Sequence, residues 1–423
     1  MSVGTNEKPA GKAVFFWNTL GGFLSAFQSV AMLMVITRVG NVVDAGIFSI
    51  AYANANVFLN VGKFGVRNYH ASDIKGRFSL ATYFYARVFT TVVMVLLGAA
   101  YLFYSASQLH YAPTKSLVIL LTLIFKATDS IEDVFIGDCQ RRGKLDVGAK
   151  ALSIRFATNI LVFSVALVLT QDMVPSLVIA TVYSLLYVLL EPFWMKSKRG
   201  LTSFGDASVS GVVKLLFECV PLFLATFLLL YIGNAPKYAI DAQLDDASQA
   251  YYGYISMPVL VINLLSSFIY NPFLPALTSA WTNGECSRFL RMFARQMVYI
   301  AAVTCMCVMG AFFIGAPVLG ALYNADLERY VIDLLILLIG GGFMAVVSLF
   351  TLGITIMRRQ TTLIWGYVAV SLTALVLSNS IVDLFGIRGA SLLYLLLMFV
   401  LSLWFGAVFV LGARSRILSH RSR

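Results

Sequence analysis

Charge is scarce in this chain of 423 residues: Asp, Glu, Lys and Arg make up 12% of it and hydrophobic residues 59%, where a soluble domain carries about a quarter charged. Such a mixture cannot cover a water-soluble surface. Histidine is nearly missing; His70, His110 and His420 fall in expected loops or the tail, away from any buried acid or nucleophile. That disfavours a membrane acyltransferase or a metal-dependent hydrolase. No GxxxxGK[ST] loop is present, since Gly11-Lys12, Gly62-Lys63 and Gly143-Lys144 lack the upstream glycine and the following hydroxyl, so the chain is not expected to hydrolyse ATP. The five cysteines, Cys139, Cys219, Cys286, Cys305 and Cys307, form no CxxC pair and read as free thiols. The net charge of +11 has no soluble domain on which to form a nucleic-acid patch. No catalytic residue, metal site or cofactor is expected.

What the chain has is long apolar runs, each near the roughly 20 residues that cross a bilayer as a helix. Helices are expected near 14–39, 45–62, 79–105, 116–136, 150–171 and 174–195, then near 211–233, 250–274, 294–323, 330–356, 361–382 and 387–412. Residues 14–39 are too long for a signal region and are expected to stay as a span. The fold class is therefore an all-α polytopic membrane protein of about twelve transmembrane helices in two six-helix lobes around a central cavity. The lobes are 1–196 and 211–412, joined by a cytoplasmic connection 197–210 and followed by a basic cytoplasmic tail, 413–423.

With a cytoplasmic N-terminus, twenty-five of the thirty-one basic residues gather at inside ends and loops, among them Lys8, Lys12, Lys75, Arg87, Arg155, Lys196, Lys198, Arg199, Arg421 and Arg423. Five lie outside: Arg38, Lys115, Lys237, Arg329 and Arg388. The bias places both termini in the cytoplasm. Asp44-Ala45 with Asn60, and Asp246-Ala247 with Asn263, echo one another across the halves, as paired transporter repeats do.

Only Lys126 is placed within a span, in the fourth helix, beside Asp129, Glu132 and Asp133. At 100° per residue Thr122, Lys126, Asp129, Ser130 and Asp133 share one arc, with Glu132 about 60° off its edge. A charge facing lipid costs about 2.5 to 3.5 kcal/mol, so this face points into the bundle or a wet cavity. Two readings stand: a proton or substrate site, or an inert pair of Lys126 with Asp129 or Asp133. One lysine cannot neutralise three carboxylates.

Polar stripes continue on other helices: Asn18, Gly22, Ser25 and Ser29 on the first; Ser49, Tyr52, Asn56, Asn60, Lys63 and Arg67 on the second; Tyr252, Ser256, Asn263, Ser266, Ser267 and Tyr270 on the eighth. Helix packing explains the small residues; the asparagines and tyrosines fit a hydrated lumen. Pro236 is expected to stop or kink the seventh helix, leaving an outer loop over Gly233 to Gln249. Gly340-Gly341-Gly342 permits bending or close packing of the tenth.

The runs Asn234 to Asp241 (NAPKYAID), Gln249 to Tyr252 (QAYY) and Met257 to Asn263 (MPVLVIN), with Glu132 to Lys144 (EDVFIGDCQRRGK), resemble polysaccharide flippases of the O-antigen and teichoic-acid type. Those belong to the multidrug/oligosaccharidyl-lipid/polysaccharide exporter superfamily. The resemblance implies a bacterial plasma (inner) membrane flippase that moves an oligosaccharide on undecaprenyl diphosphate to the outer leaflet by alternating access. It implies membrane lipid, a polysaccharide polymerase and proton or sodium coupling as partners. Lys126, Asn56, Asn60 and Asn263 could meet the diphosphate. Relatives often carry deep arginines in their first two helices, whereas here Arg38 and Arg67 sit near helix ends. The alternatives are a cation-coupled multidrug exporter of the same superfamily, which would want a carboxylate deep in the first helix, and a membrane glycan polymerase or ligase.

Overall fold

A computed structural model describes residues 10–73, 76–199 and 205–421. Lys8, Lys75 and Arg423, placed inside by the charge pattern, lie outside the described residues, as do the side chains of Lys12, Lys196, Lys198, Arg199 and Arg421. Every regular element among the described residues is helical. In chain order they are α1 (Ala10–Val39), α2 (Val42–Lys63), the short α3 (Val66–Ser72), α4 (Leu80–Leu109), α5 (Pro113–Arg141), α6 (Leu145–Thr170) and α7 (Met173–Arg199). Then come α8 (Val209–Gln243), α9 (Asp246–Ser256), α10 (Pro258–Tyr270), α11 (Leu274–Thr282), α12 (Cys286–Gly310), α13 (Ala316–Tyr323), α14 (Val331–Ile356) and α15 (Thr361–Arg421).

Ten helical stretches are long and apolar enough to cross a membrane. Two further segments bring the number to the expected twelve. One is α5, whose seven charged residues, four of them within 126–133, keep it from qualifying on composition. The other arises because α15 is two helices meeting at Gly386, which has φ 59° and ψ −138°. The chain is a multi-pass membrane protein with an all-helical fold.

Local chemistry sets the helix ends. The Asn41 side chain accepts from the Asp44 amide, 2.9 Å, and Ser79 accepts from the Thr82 amide, 3.1 Å; each satisfies an orphan donor at a first turn. Pro113 opens α5 where no donor is needed. At the far end of α2, Phe64 and Gly65 turn left-handed, φ 44° and 68°, so Arg67 belongs to α3 and leaves the second-helix stripe.

Two other expectations are corrected. Pro236 does not end the seventh span, because α8 runs on to Gln243. A break would expose backbone groups in the bilayer, whereas the proline forfeits one bond, and Asn234 Nδ2 donates an added one to the Leu230 carbonyl, 2.9 Å. The outer loop shrinks to 244–245, and Lys237 moves into α8. Conversely, the eighth span is not one regular α-helix: its hydrogen bonding lapses at Met257 before Pro258, where φ −62° and ψ −38° stay right-handed helical, and it tightens to a 3-10 turn at Asn271–Phe273.

The chain divides into two compact units, Met1–Phe223 and Leu224–Arg423, with the division inside α8. In the first, the inner half of α5 is enclosed; from Phe125 to Cys139 every residue but Ile131 is buried. In the second, α14 stays unbroken through its three glycines, which serve close packing rather than bending. A Cβ on Gly340 would lie 2.6 Å from Tyr394 of α15, on Gly341 3.0 Å from Val259 of α10, and on Gly342 2.5 Å from Thr304 of α12.

Gly386 is a different case, since a Cβ there would meet nothing within 4 Å. Only its backbone conformation demands glycine. Gly386→Ala is expected to cost about 1–3 kcal/mol, read as a lower midpoint of thermal unfolding in detergent with no change in the packing of neighbours. An unchanged midpoint would show that α15 tolerates a different joint.

Candidate functional site

The charged face of α5 is met by bases from three other elements, α3, α4 and α6. Lys126 Nζ donates to Asp129 Oδ2, 2.7 Å, and to Gln28 Oε1 on α1, 3.0 Å. The Tyr52 hydroxyl on α2 also donates to Gln28 Oε1, 3.0 Å, and its ring lies 4.7 Å from the ammonium. Arg155 on α6 supplies the second cation. Its Nη2 reaches Asp129 Oδ1 at 2.6 Å, its Nε reaches Glu132 Oε2 at 2.8 Å, and its Nη1 reaches the hydroxyls of Thr128 (3.2 Å) and of Ser184 on α7 (3.1 Å).

Half a turn away, Asp133 pairs with Arg87 on α4, 2.8 Å, and with Arg67 of α3, 3.4 Å. Arg87 also donates to the Gly62 carbonyl, 2.9 Å, and Ser130 bonds Thr91, 2.8 Å. Gly62 permits this approach, for a Cβ there would lie 2.8 Å from Ser130 Oγ.

Arg87, Lys126 and Arg155 thus face Asp129, Glu132 and Asp133, and all six side chains are buried. Three cations against three anions satisfies the requirement that charge removed from water be paired. Lys126 is paired with Asp129 and not with Asp133. Arg87 and Arg155, assigned from the sequence to inside ends, lie eight and eleven residues into their helices and are fully buried.

Asn56 and Asn60 lie half-buried on α2. Asn263 and Tyr270 are half-buried on α10 and Tyr252 is buried on α9, all within the second unit. In that unit Asp333 and Arg388 pair at 2.6 Å. Lys237 is half-buried on α8, on the same side as Tyr231, Asn234, Tyr238 and Asp241, while Ile232, Ala235, Ala239 and Ile240 are buried opposite. No described residue makes a hydrogen bond or ion pair with Lys237.

His70 departs from its expected loop. It sits in α3, buried, stacked on Tyr83 at 3.9 Å, with Asp138 Oδ1 3.9 Å from Nε2 and no hydrogen bond to either ring nitrogen. Gly137 makes the space; a Cβ there would lie 2.9 Å from Nδ1. Burial, then the Arg141 charge, holds the imidazole down at about 4. Since the unfolded value is about 6.5, the neutral ring's contribution is complete above pH 6.5 and is lost as pH falls through 4. The loss reaches about 3 kcal/mol at pH 4. The unfolding midpoint of His70→Phe is expected to fall less than the wild type's between pH 7 and pH 4; parallel curves would refute this.

The sequence matches no protein-family model, and no curated protein matches it. The fold does have solved counterparts. An inward-facing multidrug resistance MATE family transporter of the MOP superfamily superposes with a TM-score of 0.61 at 15% identity, covering 100% of this chain and 97% of that one. A MOP superfamily transporter from Pyrococcus furiosus, described as having a binding pocket of reversed polarity, gives 0.60 at 11% identity with 96% of each chain covered. The Vibrio cholerae MATE transporter VcmN in its bent form gives 0.56 at 13% identity, covering 97% and 98%. The chain has the fold of MATE-type transporters of the MOP superfamily.

Proposed function

We propose that the chain is a cation-coupled multidrug exporter of the plasma membrane, with both termini cytoplasmic, moving an amphipathic molecule outward, a reading supported by its fold likeness to a multidrug resistance MATE family transporter. One observation carries the reading beyond fold: a charge-balanced cluster buried in a membrane-embedded helix, tied to six other helices. A proton taken by Asp129 would leave Lys126 without its counter-charge, one taken by Glu132 would leave Lys126 and Arg155 to share Asp129 alone, and the helices they join would then favour a different packing. α1 carries no acid, so coupling in this chain falls to α5. The test uses purified protein in vesicles with an imposed pH gradient. Cationic amphiphiles should move against their own gradient and collapse the proton gradient, and transport indifferent to pH would reject proton coupling.

A second reading, flipping of an oligosaccharide on undecaprenyl diphosphate, is supported by Lys237, a cation in a span with no acid partner. On that reading Lys237, Asn56, Asn60, Asn263, Tyr252 and Tyr270 are cargo contacts, and a polysaccharide polymerase takes the product. Deleting the gene should then deplete one surface glycan and strand its lipid-linked precursor in the inner leaflet. Intact surface glycan alongside lost amphiphile resistance would leave the exporter reading standing.

A further inference from the structure

In the second unit a groove of about 620 Å³ runs between α12, α14 and the second helix of α15. Its walls include Met297, Phe343, Phe350, Leu403, Gly406 and Val410. The floor lies where Gly406 meets Phe350, with a Cβ on the glycine only 3.3 Å from the ring. The rim is open, Leu403 being 57% and Val410 46% exposed. A rim of exposed leucine and valine suits a face turned to hydrocarbon. The polar lining residue Ser402 donates its hydroxyl to the Phe399 carbonyl of its own helix, 2.7 Å, leaving no donor for a polar guest.

On α15 the groove runs from Phe399 to Leu411, about 18 Å of helix rise, close to one leaflet of a roughly 30 Å hydrocarbon core. One end is strongly basic. Arg414 is exposed, one turn past Val410 on the same face. Arg359, also exposed, donates to Ser415, 2.8 Å, and its Nη1 lies 3.8 Å from where a Cβ on Gly412 would stand. No Asp or Glu follows Asp383, and none occurs between Asp333 and Asp383 or between Cys286 and Ala325. The three helices lining the groove therefore bring arginine to this end, and the one acid beside it, Glu285 at the start of α12, is paired with Arg288 at 2.8 Å rather than with Arg359 or Arg414.

We infer that the groove holds one acyl chain of an anionic phospholipid of the bilayer, with its phosphate against Arg359 and Arg414. The single-leaflet length selects a phospholipid over a polyprenyl tail, and the uncompensated arginines select an anionic headgroup over a zwitterionic one. The site is independent of what the chain transports.

The test measures lipid retention by native mass spectrometry, and thermal unfolding in neutral detergent, on the full-length protein. Phosphatidylglycerol and phosphatidylcholine with matched acyl chains are the probes. The wild type should retain one phosphatidylglycerol about tenfold more strongly than phosphatidylcholine and unfold at a higher temperature with it. Arg359→Gln/Arg414→Gln should abolish that preference while leaving weak binding of both lipids. Ala407→Trp, which fills the groove, should reduce retention of both; Ala407→Met serves if the larger residue prevents folding. Equal retention of the two lipids by the wild type, or an undiminished preference in the double variant, would overturn the assignment. So would displacement of phosphatidylglycerol by undecaprenyl phosphate at equal concentration, which would make the groove a cargo-tail site.

Discussion

Arg155→Met is expected to remove most of the protein from the membrane. The substitution keeps the volume but leaves Asp129 and Glu132, which Arg155 meets at 2.6 and 2.8 Å, facing the single charge of Lys126 in a region closed to water. Stranding a buried charge in this way costs about 3–5 kcal/mol, a large part of the 5–15 kcal/mol that holds an ordinary fold together. Arg155→Lys should recover only part of the loss, because an ammonium cannot reach two carboxylates and two hydroxyls with the planar fork they now share. Membrane abundance and unfolding midpoint are the readouts. Wild-type values for Arg155→Met would mean that the cluster is not charge-balanced as described.

The second large effect is on transport. Lys126→Ala/Asp129→Ala removes one charge of each sign, so Arg155 still faces Glu132 and the cluster stays neutral; abundance is expected near that of the wild type. Transport at matched abundance should nevertheless fall by at least about tenfold, equivalent to ~1.4 kcal/mol, because the pair that responds to the coupling ion is gone. Lys126→Ala/Asp133→Ala gives the contrast. Asp133 belongs to Arg87, 2.8 Å away, and Asp129 keeps Arg155, so this variant strands the buried Arg87 and should fail to accumulate. Full transport by Lys126→Ala/Asp129→Ala would make the ion pair a packing device and remove α5 from the coupling mechanism.

The spans were legible in the sequence because hydrocarbon thickness imposes a length that apolar runs must match. Lys126, Asp129, Glu132 and Asp133 were legible as one polar face because helical periodicity applies to charges as it does to apolar residues. Arg87 and Arg155 were not, since each lies within about two turns of an expected inner end, where positive charge is already explained by topology. The signal that could have found them was arithmetic: three acids in a span need more than one base, and neighbouring helices had to supply the others. Pro236 misled for a related reason. Its cost in a helix is constant, but the cost of ending the helix is far higher in lipid than in water. The lapse at Pro258 went the other way, because the helical pattern on both sides of it is equally apolar and gives no phase to read.

The enclosure of α5 also bears on how the chain is made. Four charges within residues 126–133 would each cost about 2.5–3.5 kcal/mol in a helix released alone into lipid. During synthesis Arg87 arrives before them on α4, but Arg155 follows on α6 and Ser184 later still on α7. α5 is therefore a helix that cannot be released when it is complete. It has to wait in a protected, wet environment until the segments carrying its partners have emerged, so the helices of the first unit enter the bilayer as an assembled group rather than one at a time.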